Sequence, residues 1–136
     1  MNKKDCFKII QEKKIGYLAT FDVTKTTPRV RAVDIGTVYD NEIYFSTFKN
    51  TGKVSELDKS KKVEIFLLYD EGQIRIMGHA ETIQDLDIKS RFLDDNLTMK
   101  DMFDNAENSD FVLYKIVPEE IRYMDNNSSS YTYIEN

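Results

Sequence analysis

The sequence has very few of the residues that build disulfides and metal sites. It contains one cysteine, Cys6, one histidine, His79, and no tryptophan in 136 residues. A lone cysteine cannot form a disulfide within the chain, and this pair cannot supply the four ligands of a structural zinc site. A chain of this length buries enough apolar surface to fold without such cross-links. We therefore expect one domain over residues 1–136, no metal, and a reducing compartment.

Long apolar runs are also missing. No apolar run approaches the roughly 18 residues that a helix needs to cross a bilayer. The N-terminal residues MNKKDCFKII carry positive charge but lack the apolar region of a signal peptide. These features predict a cytoplasmic protein with no membrane partner.

The charge is acidic but unevenly distributed. The net charge is −5, with 24 acidic and 19 basic residues, which argues against a phosphate backbone as the main ligand. Residues 25–62 hold eight basic and five acidic residues, whereas residues 85–136 hold five basic and twelve acidic residues. An anion is therefore expected to bind in the first half of the chain.

Alternating apolar residues predict a mainly β fold with short helices. Proline in the last strand, which cannot donate to a ladder, predicts a kink or bulge at Pro118. A polar tail from about residue 125 is expected to be poorly ordered unless a partner covers it. An OB-like barrel and a split barrel both fit this outline. The predicted strands are residues 15–22, 28–39, 42–47, 63–70, 73–83 and 110–124, and the predicted helices are residues 5–14, one from 51, and two within 85–103 that break near 96.

The segment YFSTFKNTGKVSEL has the pattern of an anion site. A strand ending in Ser46 and Thr47 leads through Thr51 into a helix whose first turn carries Lys53. A helix N-terminus presents unpaired N–H groups and a partial positive charge, which favours a phosphate. The alternative is that Thr51 only caps the helix and Lys53 is a solvated surface charge.

Arg29 and Arg31 share one face of the second predicted strand, opposite Val30 and Ala32. A guanidinium group can bind phosphate oxygens through two hydrogen bonds. The alternative is a solvated outer face of the strand.

These segments, PRVRAV, IYFSTFKNTGKVSEL and QIRIMGHAE, resemble in order and spacing the pyridoxamine 5′-phosphate oxidase-like family of FMN-binding split barrels. The resemblance implies a mainly β (α+β) fold, a six-stranded antiparallel split β-barrel with short peripheral helices. It implies a homodimer with FMN at the subunit interface, and an oxidoreductase acting on an unidentified small substrate. It further implies these cofactor-binding residues: Arg31, Ala32, Val33, Ser46, Thr47, Lys49, Thr51, Lys53 and Gln73.

The resemblance also assigns parts of the cofactor. Arg31, Thr51 and Lys53 would bind the phosphate, with Lys49 as a helper, and Gln73 would reach the flavin from the other subunit. The backbone of Ala32 and Val33 would lie along the flavin, and Ser46 and Thr47 would line its ring and ribityl chain.

The sequence departs from the family in ways that limit the expected activity. Gly52 stands where the family often has arginine or histidine before the phosphate lysine. The chain also lacks the C-terminal segment with tryptophan and arginine that holds pyridoxamine phosphate, so we expect no turnover of that substrate.

No residue is identified as a general acid or base, and His79 is expected to be a strand residue rather than a ligand. The alternatives are a flavin- or haem-binding carrier or sensor without turnover, and an OB-like binder of single-stranded nucleic acid, against which the net acidity counts.

Overall fold

A computed structural model describes residues 1–135, which form four helices and eight strands. Asn2 caps the first helix by accepting a hydrogen bond from the N–H group of Asp5. The helices are α1 (Lys3–Lys13), α2 (Gly52–Lys59), α3 (Leu86–Asp95) and α4 (Leu97–Phe103). The strands are β1 (Ile15–Asp22), β2 (Thr27–Asp34), β3 (Thr37–Tyr39), β4 (Glu42–Phe48), β5 (Lys62–Tyr69), β6 (Gly72–Thr82), β7 (Phe111–Asp125) and β8 (Thr132–Ile134).

The strands form one antiparallel sheet in the order β2-β1-β5-β6-β7-β4-β3, and β8 adds to β7. The sheet curls so that β2 approaches β4, but among residues 1–135 no ladder joins these two strands. The sheet is therefore not closed, which confirms the predicted split barrel. It has eight strands where six were predicted, because one predicted strand is divided and the tail contributes another.

The divided strand breaks at Gly36. The prediction of one strand over residues 28–39 is wrong, since β2 pairs with β1 whereas β3 pairs with β4. The N–H group of Ile35 donates to the carbonyl oxygen of Lys14 at 2.5 Å, and that of Gly36 donates to Tyr44 at 3.0 Å. A Cβ atom at Gly36 would lie 2.4 Å from ring atoms of Phe92. This close approach lets the chain cross from one end of the sheet to the other.

The core has two parts. The larger lies inside the barrel and under α1, with Leu18, Ile65 and Ile76 among its fully buried residues. Cys6 belongs to it, and burial raises the pKa of its thiol group to about 12. The smaller packs Phe92 of α3 near the sheet with other aromatic rings. Cys6 is therefore a packing residue rather than a thiolate nucleophile.

The C-terminal part confirms one prediction and corrects another. The register of β6 and β7 shifts at Pro118, which pairs with Gly78 while Glu120 pairs with Met77, as the predicted bulge requires. The expectation of a poorly ordered tail is wrong for β8, whose residues pair with Ile121–Tyr123 of β7. Across residues 1–135, no helix is long and apolar enough to cross a membrane.

Candidate functional site

The start of α2 has the free donors that an anion site needs. Thr51 precedes the helix with an extended backbone, and within residues 1–135 its side chain makes no capping bond to the first turn. The hydroxyl oxygen of Thr51 lies 3.4 Å from that of Thr47, which is buried at the end of β4. The N–H groups of this turn therefore remain available to a ligand.

Arg31 points from β2 toward α2 and not to solvent. Its Nη2 atom donates to Oε1 of Glu56 at 2.6 Å, and its Nη1 atom donates to Oγ1 of Thr20 at 2.7 Å. Thr20 in turn donates to the same Glu56 oxygen at 2.6 Å. We call Thr20, Arg31, Thr51, Lys53 and Glu56 the α2 cluster. It joins two strands to the helix through hydrogen bonds.

The α2 cluster carries an excess of positive charge. Burial and the positive charge of Arg31 hold the pKa of Lys53 below its usual range, while the carboxylate of Glu56 partly opposes this. Among residues 1–135, Lys53 forms no ion pair within 4.0 Å, whereas Arg31 and Glu56 neutralise each other. One cation is thus left without a partner beside the helix N-terminus, which fits a phosphate group.

Thr20 and Glu56 are the members of the α2 cluster that sequence reasoning missed. Burial opposes the ionisation of Glu56, but hydrogen bonds from Thr20 and Arg31 hold its pKa below the usual range. The available signal for Glu56 was its spacing, because a residue three positions after Lys53 lies on the same helix face.

The remaining residues implied by the resemblance divide between two faces of the sheet. Val33 shares the inward face of Arg31 and is buried in the core, whereas Ala32 faces outward and is exposed. On β4, Thr47 is buried while the adjacent Ser46 points to the other face and is half-buried. The predicted role of the Ala32 and Val33 backbone along the flavin stays a prediction.

Lys49 is not brought to the α2 cluster. It lines a separate groove of about 580 Å³ together with Lys89 and Tyr114, beside the opposite flank of α2 from Glu56. Its predicted role as a phosphate helper therefore has no support from its position within this chain.

Gln73 lies far from the α2 cluster of its own chain. Strands β1 and β5 separate β6 from β2, so three strand spacings of about 4.8 Å, roughly 14 Å along the sheet, lie between Gln73 and Arg31. The side chain of Gln73 is also on the other face, because the neighbouring Ile74 is in the core. Within one chain, the side chains of Gln73 and Arg31 therefore lie on opposite faces of the sheet.

The sheet face that carries Gln73 exposes several large apolar side chains. We call it the outer face, and Val30, Leu68 and Tyr17 are exposed there by 70, 61 and 43%. Exposed apolar patches on this scale mark interaction sites. The residues that define the outer face are Ile15, Tyr17, Val30, Ala32, Phe66, Leu68, Gln73, Arg75, Met77 and Arg122.

His79 is occupied by neighbouring carboxylates. Its Nδ1 atom lies 2.9 Å from Glu119 and its Nε2 atom lies 3.1 Å from Glu81. Hydrogen bonds to Glu119 and then Glu81 raise the pKa of the imidazole. His79 lies in β6, as predicted, and both of its ring nitrogens are engaged by carboxylates.

Comparison with known proteins identifies related sequences along nearly the whole chain. The sequence model of the family described as pyridoxamine 5′-phosphate oxidase matches residues 3–125. General stress protein 26 of Bacillus subtilis is 28% identical over 129 residues, which cover 90% of this chain and 88% of that protein.

Solved structures support the fold. General stress protein 26 from Bacillus anthracis superposes with a TM-score of 0.78 at 24% identity, covering 97% of this chain and 98% of its own. A heme binding protein from Mycobacterium smegmatis superposes with a TM-score of 0.75 at 14% identity, covering 97% of this chain and 57% of its own. Both superpositions show that the chain shares its fold with these proteins.

Proposed function

The chain belongs to the pyridoxamine 5′-phosphate oxidase family, and from this premise we propose that it is an FMN-binding flavoprotein that acts as an oxidoreductase on a small substrate. The observation that carries the proposal is the α2 cluster. It combines an uncapped helix start, the hydroxyl group of Thr51 and the unpaired ammonium group of Lys53. These groups match the charge and the hydrogen-bonding needs of the FMN phosphate.

We propose further that the protein is a homodimer in which each FMN lies between two subunits. The α2 cluster and Gln73 are on opposite faces of one chain, so a ligand that touches both needs a second copy. The exposed apolar side chains of the outer face supply a surface for that copy to cover. The partner is thus a second copy of this chain and not a nucleic acid.

In this dimer, the protein binds and orients the cofactor. Lys53 and Thr51 hold the phosphate, Arg31 supports it from β2, and Ser46, Thr47 and the backbone of residues 32–33 line the rest. FMN supplies the redox chemistry when bound, by accepting and donating a hydride. We assign no general acid or base, because hydride transfer from a simple donor does not require one.

Oxidation of pyridoxamine phosphate is not part of the proposal. The tail carries Tyr131 and Tyr133 but no tryptophan or arginine after residue 125. Without a cation for a second phosphate, that substrate loses an important means of orientation. A nicotinamide donor or another small planar reductant is the expected class of substrate.

A second candidate is a carrier or sensor that binds flavin or haem without turnover. The structural similarity to a heme binding protein supports this candidate. Against haem, the two ring nitrogens of His79 are engaged by Glu119 and Glu81. The visible spectrum of the purified protein separates flavin, haem and the absence of a chromophore.

Flavin affinity tests the phosphate site directly. Replacing Lys53 by alanine removes a charged partner of the phosphate, so we expect FMN to bind about 10- to 150-fold more weakly, while riboflavin is little affected. The matched control is Lys59→Ala, at the other end of the same helix, which should change neither affinity. Equal losses for both ligands would contradict the phosphate site.

Two further measurements test the dimer and the activity. Light scattering of the FMN-bound protein should give the mass of a dimer, and a monomer with bound FMN would overturn the shared site.

Anaerobic mixing with NADH or NADPH should bleach the flavin, whereas pyridoxamine phosphate should not. A flavin that resists every donor would favour the carrier or sensor.

A further inference from the structure

The residue whose surroundings carry an additional inference is Gln73, near the start of β6. It is half-buried on the outer face, between Leu68 of β5 and Met124 of β7 in the sheet register. Leu68 is 61% exposed, so this part of the face is open to a partner. The side-chain amide of Gln73 therefore lies where a ligand held by a second copy would meet the sheet.

The tail of the same chain turns back toward Gln73. Its path is fixed by Asn126. The backbone N–H group of Asn126 donates to the carbonyl oxygen of Glu71 at 2.8 Å, and its side-chain NH2 group donates to the carbonyl oxygen of Asp70 at 2.9 Å. After a turn stabilised by Ser128, β8 pairs with β7, and Ile134 packs against the core. This route places Tyr131 directly before β8, beside the outer face.

The ring of Tyr131 is held by two guanidinium groups. The central carbon of Arg122 lies 4.7 Å from the ring centroid, and that of Arg75 lies 5.4 Å from it. Cation–π contacts of this kind stabilise the position of an aromatic ring. Arg75 also lies over Phe66, so the ring of Tyr131 is part of a packed layer on the outer face.

The hydroxyl group of Tyr131 donates to Oε1 of Gln73 at 2.7 Å. An amide group has one acceptor atom and one NH2 group, and a fixed donor to the oxygen decides which way each points. With Oε1 engaged, the NH2 group of Gln73 makes no hydrogen bond to any residue within 1–135. It is left as a free donor on the outer face.

We propose that Tyr131 is a positioning residue, which orients the Gln73 amide so that its NH2 group donates to an acceptor atom on the flavin ring held by the partner subunit. The proposal rests on the FMN dimer proposed above. Because the hydrogen bond goes to the ring and not to the phosphate, it stabilises FMN and riboflavin alike. A donor at the ring edge also favours the more electron-rich reduced state and raises the reduction potential.

The test replaces Tyr131 by phenylalanine, which keeps the ring and its contacts with the two arginines but removes the hydroxyl group. We expect both FMN and riboflavin to bind about 3- to 10-fold more weakly, the flavin absorption band to shift, and the reduction potential to fall. The control is Tyr39→Phe in β3, whose hydroxyl group bonds to Asp95 and not to Gln73 or to the two arginines; it should change none of these.

A second variant makes the test independent of ring packing. Gln73→Glu keeps an oxygen that accepts from Tyr131 but replaces the NH2 donor, so it should lower both flavin affinities and the potential more than Tyr131→Phe does. In this background, Tyr131→Phe should have little further effect, because no NH2 group remains to be oriented. Additive losses would overturn the proposal.

The flavin-free protein gives a separate readout. The side-chain NH2 resonances of Gln73 should shift and broaden in Tyr131→Phe and stay unchanged in Tyr39→Phe. If wild-type protein binds flavin but Tyr131→Phe changes neither affinity nor potential, the positioning role is wrong and the flavin dimer stands. If wild-type protein binds neither FMN nor riboflavin, both proposals are overturned.

Discussion

Two neighbouring residues on β2 summarise the difference between the α2 cluster and the outer face. The side chain of Arg31, which is 24% exposed, turns inward to Glu56, whereas Val30 is 70% exposed on the other side of the strand. In a sheet with one solvated face, the apolar residue normally points inward and the charged one outward. The inversion fits the proposal that one face binds a ligand and the other a second subunit.

The two regions are complete to different degrees. The α2 cluster is built within one chain, since α2, β1 and β2 bring its charges together through hydrogen bonds of 2.6–2.7 Å. The outer face is not, because Val30, Leu68 and Tyr17 remain exposed within residues 1–135, although Tyr131 and Arg75 cover part of it. In the proposed dimer, the α2 cluster determines which ligand binds, and the outer face determines which partner completes the site.

The largest expected effect comes from placing a charge on the outer face, which tests whether this face and the α2 cluster have different roles. Val30→Arg should weaken the dimer at least about 100-fold, because an unpaired charge would be buried against the second copy. FMN binding should fall with it, since the shared site is lost. Sedimentation over a range of concentrations measures the dissociation constant.

The matched control for Val30→Arg is Leu97→Arg. Leu97 is 67% exposed at the start of α4, away from the outer face. The dimer should tolerate this change. If both variants dissociate equally, or neither does, the outer face is not the dimer surface.

A smaller effect is expected from removing the negative charge inside the α2 cluster. Glu56→Gln keeps a side chain that can accept from Arg31 and Thr20 but no longer competes with a phosphate. FMN should bind about 3- to 10-fold more tightly, and riboflavin should be unchanged. Calorimetric titration with each ligand checks this. Weaker FMN binding would show that the carboxylate mainly positions Arg31.

The smallest expected effect is on stability at low pH. Hydrogen bonds from Thr20 and Arg31 outweigh burial and hold the pKa of Glu56 below its ordinary value of 4.5. Its contribution to the free energy of unfolding is therefore complete above pH 4.5 and declines as the pH falls toward the lower folded-state value.

Urea unfolding at several pH values measures this dependence. The loss at low pH should be smaller in Glu56→Gln by about 1 kcal/mol, the size of one hydrogen-bonded pair. Val30→Gln, on the outer face, should leave the pH dependence unchanged. If the free energy of unfolding falls equally at low pH in wild type and Glu56→Gln, this carboxylate does not contribute to the pH dependence of stability.

Local sequence patterns predicted most helices and strands, whereas the features that depend on long-range contacts were not predicted. The break between α3 and α4 at Asn96 and the bulge at Pro118 follow from residues that disfavour regular structure, so sequence sufficed. The break at Gly36 depends on the distant ring of Phe92, and β8 depends on its pairing with β7. Neither contact has a signal in the neighbouring sequence.

The candidate site divides in the same way. Thr51 and Lys53 were readable because the cue for an anion site is local, a hydroxyl residue and a cation at a helix start. The bond between Arg31 and Glu56 spans 25 positions, and that between Gln73 and Tyr131 spans 58. A pattern that covers a few residues cannot predict such pairs.

Strand β7 also determines when this chain can fold during synthesis. It pairs with β6 on one side and β4 on the other, so it alone joins the two halves of the sheet. Until residues 111–125 have left the ribosome, β4 and β6 each expose an unpaired edge, a known template for aggregation. The barrel must therefore form after most of the chain is made, and slow translation of the last quarter would prolong its most vulnerable stage.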